Sequence, residues 1–181
     1  MAVGNLFLIS TPDIRPQHIR ILQFGKGNRH PYRQFEAHVP RALQALRHQW
    51  GKDASDGLTT EDLASMTVFT GRFEALEPAT VNIASQHAAL MLLSYAALQD
   101  KDKTERWLLR CRAILPTVKS ITQRAWQLAF MFAATGIASF REEAEALVSS
   151  WTIAPNDRKR TLIATTLNEF YSIHGQKPLF H

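Results

Sequence analysis

One cysteine, Cys111, in 181 residues excludes an internal disulfide framework and any zinc site built on several thiolates. Glycine and proline are no more than average, eight of each, so collagen-like and low-complexity chains are excluded too. Long apolar runs are missing. The most apolar stretch, Ala88 to Leu98, is broken by Ser94 and falls short of the ~18 residues a membrane-spanning helix needs. The N-terminus lacks a basic residue ahead of its short apolar run, Leu6 to Ile9, so a secretory signal is not expected. These absences predict a cytoplasmic protein with no membrane partner.

What is present is enough for a folded core. At 45% apolar and 20% charged residues, the chain matches an ordinary globular domain and not a disordered one. Acid is scarce where base is dense. Between positions 15 and 52, Arg15, Arg20, Lys26, Arg29, Arg33, Arg41, Arg47 and Lys52 face only Glu36, a net of +7. Four of the seven histidines, His18, His30, His38 and His48, lie in the same stretch. The sign then reverses. Across 53–77, six carboxylates face Arg72 alone, a net of −5. A second basic block over 101–124 carries +5. Clustered positive charge attracts polyanions and speeds their capture.

Periodicity predicts an all-α fold, a helical bundle or stacked helical hairpins of roughly seven helices, behind a short extended or β-hairpin N-terminal arm. The arm spans 1–38 and the helical domain 39–181. In the arm, Asn5 to Ser10 and Ile19 to Phe24 read as short strands, and Gly25 to Arg33 as a loop. Val39, Leu43, Leu46 and Trp50 recur at helical spacing. Thr59 with Asp62 forms a capping pair ahead of Leu63, Met66, Phe69 and Phe73, in a helix that Gly71 weakens. The helix from Ala79 to Gln99 is apolar on nearly every side and is expected at the centre. Thr104 is expected to cap a helix to Leu115, and Thr117 to open one that Gly136 ends. Ser139 with Glu142 reads as a capping box for a helix to Trp151. A last helix begins at Pro155 to Asp157 and carries Leu162, Ile163, Leu167, Phe170 and Ile173. Trp126, Phe130, Met131 and Phe132 read as core.

Tyr95, Leu108, Cys111 and Pro116 sit near the spacing of a tetratricopeptide repeat, but no second copy follows about 34 residues later. The unit is read as a helical hairpin only.

Motifs that carry chemistry are sparse. Ser85 and His87, like Ser172 and His174, stand two apart, and such residues do not face each other on a helix. The gaps between His30, His38 and His48 do not suit a metal. No catalysis, metal or cofactor is therefore expected. The Gly25–Arg33 loop brings glycine amides and three cations together, which suits an anion. The primary reading is a nucleic-acid-binding accessory subunit of a nucleoprotein complex, RNA or DNA, gripping the phosphate backbone. Lys26, Arg29, Arg33, Arg41 and Arg47 are its candidate contacts, with Tyr32 as a stacker. Lys103, Arg106 and Arg110 form a second patch on one helix face. The alternative is a helical protein-interaction module, an adaptor or chaperone, whose basic arm docks on an acidic protein or on a second copy of the chain.

Overall fold

The computed structural model describes residues 8–9, 20–21, 39–50, 58–78 and 80–150. The arm's loop over 25–33, the last expected helix, Trp151 and Phe170 lie outside the described residues. Two short strands, β1 (Leu8–Ile9) and β2 (Arg20–Ile21), pair antiparallel, with Leu8 opposite Ile21 and Ile9 opposite Arg20. Six helices follow among the described residues: α1 (Val39–Gln49), α2 (Thr60–Glu74), α3 (Val81–Ala97), α4 (Lys101–Ile114), α5 (Ile121–Thr135) and α6 (Ala138–Ser149). The fold of this part is all-α.

Short polar side chains set most helix starts. The Thr59 hydroxyl accepts the Asp62 amide at 3.1 Å, and the Asp62 carboxylate returns the bond to the Thr59 amide at 3.3 Å, which is the expected capping box. Thr80 caps α3 by accepting the Ile83 amide, and Ser120 caps α5 by accepting the Gln123 amide. Gly136 ends α5 at φ 71°, a left-handed conformation that costs glycine nothing.

Three expected boundaries need correction. Asp100, not Thr104, caps α4: its carboxylate accepts the Lys103 amide at 3.0 Å, and the Thr104 hydroxyl donates to the Asp100 carbonyl from inside the first turn. α5 opens at Ile121, not near Thr117, because Pro116 shapes a single 3-10 turn over Leu115–Thr117 first. Ser139 does not cap α6. Ile137 holds that position without a side-chain bond, since the chain leaves Gly136 too soon for Ser139 to stay outside the helix.

The core centres on two helices. α3 buries Ala88 through Tyr95, as its all-round apolarity predicts, and α5 buries Ala125 through Ala134. Trp126, Phe130, Met131 and Phe132 are all inside. α4 packs on α3, α6 on α5, α3 on α5, and α1 on α3. A buried polar chain ties three helices. Ser85 Oγ donates to Gln127 Oε1 at 2.6 Å, and Gln127 Nε2 donates to the Cys111 carbonyl at 3.0 Å. Burial pushes the neighbouring Cys111 thiol up to about 12, which leaves it protonated and unreactive.

Candidate interaction surface

The second basic patch is built on α4, whose inner stripe anchors it. Trp107, Cys111 and Leu115 are buried against α3, so Lys103, Arg106 and Arg110 fall on one outer flank, as their spacing predicts. That flank does not face solvent alone. It abuts the end of α2, where Glu74 gathers four groups. Tyr95 Oη donates to Oε2 at 2.5 Å, Lys103 Nζ at 2.9 Å, and Trp107 Nε1 to Oε1 at 3.1 Å. An Arg106 guanidinium nitrogen stands 4.0 Å away. Lys103 Nζ also lies 2.9 Å from the Tyr95 hydroxyl and 4.6 Å from its ring centroid.

Titration follows this geometry. Burial pushes the Glu74 carboxyl up, but the bonds from Tyr95, Lys103 and Trp107, with the Lys103 charge, together hold it below its ordinary value. Lys103 is raised by its bonds to Tyr95 and Glu74. Tyr95 is raised by burial and by donating to Glu74. One residue before Glu74, the Phe73 carbonyl lies 2.6 Å from His87 Nε2, which must therefore carry the hydrogen. The His87 ring meets Trp107 edge-on at 5.4 Å. Burial lowers the His87 pKa and outweighs the bond to the Phe73 carbonyl, which raises it, while the nearby Arg110 charge adds to the lowering. It is a satisfied core histidine, as the sequence suggests, and Ser85 is bonded elsewhere, to Gln127.

The remaining candidates divide. Arg41 on α1 stands 3.8 Å from the Asp62 carboxylate on α2, so the basic and acidic stretches already meet within one chain here. Arg47 is half-buried on α1. Gln49 Nε2 donates to the Ala97 carbonyl at 2.7 Å, which sets the end of α1 beside the α3–α4 turn. Lys26, Arg29, Tyr32 and Arg33 lie outside the described residues. On α4, Arg110 sits 5.8 Å from the Trp107 ring centroid and Arg112 lies 5.3 Å from that of Phe140.

Sequence reasoning missed Glu74 as the organiser of this surface. Its only local signal is a carboxylate directly after the core residue Phe73. It also missed Leu109, which is 59% exposed amid the arginines. The gap between α3 and α5 beside Gln86, Gln123 and Trp126 amounts to about 10 Å³, room for one water and not for a substrate. Among the described residues, no group of three or more His, Cys, Asp and Glu is placed to hold a metal, and no helix is long and apolar enough to cross a membrane.

No protein-family model matches this chain, and no curated protein matches it. The chain is similar to the solved structure of a transcription anti-terminator antagonist, UpxZ from Bacteroides uniformis, at 16% identity and a TM-score of 0.48, over 73% of this chain and 90% of that one.

Proposed function

We propose that this protein is a non-catalytic helical protein-interaction module whose basic surfaces dock on an acidic protein. The observation that supports this reading is the commitment of Lys103 to Glu74 at 2.9 Å, with Arg106 held near the same carboxylate. A phosphate-tracking surface needs a line of free cations, each releasing a counterion. Of the three cations predicted on α4, Lys103 is bound within the fold and Arg106 is partly neutralised. Side chains fixed by internal partners suit recognition of a shaped surface, because little rotamer freedom is lost on binding.

The competing reading is nucleic-acid binding, favoured by the +7 stretch over 15–52. Salt dependence separates the two. Full-length, nuclease-treated protein is titrated with labelled RNA and DNA across a salt series. An interaction module gives weak binding with a slope shallower than about −2 in log K against log salt. Neutralisation of about five phosphates gives roughly −3.5 to −4.5, and that slope would overturn the proposal.

A further inference from the structure

We infer that the outer face of α4 is a docking site for an acidic amphipathic helix of a partner protein. The inference rests on the interaction-module reading and deepens it. Leu109 and Ala113 are exposed and stand at i and i+4 on α4, and the exposed Pro116 follows in the 3-10 turn just past its end, extending the apolar line they begin. Leu109 is the most exposed large apolar side chain among the described residues, at 59%. α4 does not need it for folding, since Trp107, Cys111 and Leu115 already bury the opposite side. A lone exposed leucine is ordinary. This one lies in a line with cations on both flanks.

Arg106 and Arg110 border the line on one side and Arg112 on the other. The Arg110 guanidinium lies 5.8 Å from the Trp107 ring centroid, and that of Arg112 lies 5.3 Å from the Phe140 centroid. Stacking of this kind stiffens a guanidinium while leaving its fork free for a carboxylate. Apolar anchors at i, i+4 and i+7 match the period of a bound helix, and arginines beside them select glutamate or aspartate on its shoulders. A phosphodiester strand fits less well. Leu109 offers it nothing, and Glu105 stands one turn before Leu109 on the same face. The acidic residues Asp102 and Glu105 offset the cations in the N-terminal half of α4, whereas Arg110 and Arg112 in its C-terminal half have no acidic residue beside them in the sequence. The partner helix therefore sets its acidic portion over the C-terminal half.

The test uses full-length protein and a labelled synthetic helical peptide of about 18 residues, with leucines at i, i+4 and i+7 and glutamates beside them. A scrambled peptide of equal composition and a DNA duplex serve as comparisons in fluorescence anisotropy. The expected result is binding of the patterned peptide, at least tenfold weaker for the scrambled one. Leu109→Ser should weaken patterned binding about tenfold, as should the double change Arg110→Glu with Arg112→Glu, while Arg72→Glu on α2 should not. Circular dichroism confirms that the variants fold, and Leu109 is exposed enough to change safely. Undiminished binding by Leu109→Ser, or equal binding of the scrambled peptide, overturns this face and leaves the interaction-module reading standing. Failure of the peptide together with DNA binding of steep salt slope, lost in the arginine variant, overturns both.

Discussion

The Trp107 indole donates to Glu74 Oε1 across 3.1 Å, joining two residues 33 positions apart and pinning the end of α2 to α4. Glu74 also accepts from Tyr95 and Lys103, so one carboxylate serves three donors from two helices. Glu74→Gln keeps the shape and removes the charge, and its amide presents a donor to donors. We expect a loss of about 1 to 2 kcal/mol in urea unfolding. The carboxyl's folded pKa is depressed from 4.5, so its contribution is present above that pH and fades as pH falls through the folded value. The gap between wild type and Glu74→Gln should therefore narrow in acid. A gap that stays constant down to pH 3 would show that charge plays no part.

His87 predicts a second pH effect, at higher pH. Its folded pKa lies below 6.5, chiefly through burial, so the unfolded chain binds the extra proton first. Stability should be full above about pH 6.5 and decline below it. His87→Gln retains a donor for the Phe73 carbonyl but cannot titrate. Urea midpoints measured at pH 7.5 and 5.5 should separate less in His87→Gln than in wild type. Equal separation in both proteins would assign the slope to other histidines.

Local chemistry made much of the fold legible. Thr59 and Asp62 announce a helix because a capping box needs only residues three apart. Trp126, Phe130 and Phe132 announce a core because their helix has no polar side large enough to face water. The misread boundaries arose where two local signals competed. Asp100 and Thr104 can each cap, and the carboxylate wins because Gln99 turns the chain in time for it. The candidate surface was half legible. Spacing put Lys103, Arg106 and Arg110 on one flank. It carried no trace of Glu74, since a contact between α2 and α4 depends on how both pack against α3.

Gly71 offers a gain in stability. It sits inside α2, and a Cβ added there meets nothing within 4 Å. Gly71→Ala should raise stability by about 1 kcal/mol, because alanine restricts the unfolded chain and favours helix. The urea midpoint reports it. A lower midpoint would mean that this face of α2 is covered in solution.

The turn between α3 and α4 supplies the last test. Gln99 adopts φ 59°, while its amide bonds to the Ala96 carbonyl at 3.1 Å and the Asp100 amide bonds to the Tyr95 carbonyl at 3.1 Å. This is a helix terminus that usually carries glycine. A side chain in the left-handed region costs about 1 to 2 kcal/mol, and glycine gives back about 0.5 to 1 kcal/mol through its freer unfolded chain. Gln99→Gly should therefore stabilise by about 0.5 to 1 kcal/mol, and Gln99→Val should destabilise by more than that, being β-branched. The turn also sets the register of α4: it places Asp100 to cap Lys103, and so aligns Lys103 and Trp107 with Glu74. If the strain in Gln99 serves only that register, Gln99→Gly will leave the near-ultraviolet circular dichroism of the tryptophans, Trp107 among them, unchanged while raising the unfolding midpoint. A shifted tryptophan signal would mean that the glutamine side chain itself holds the turn.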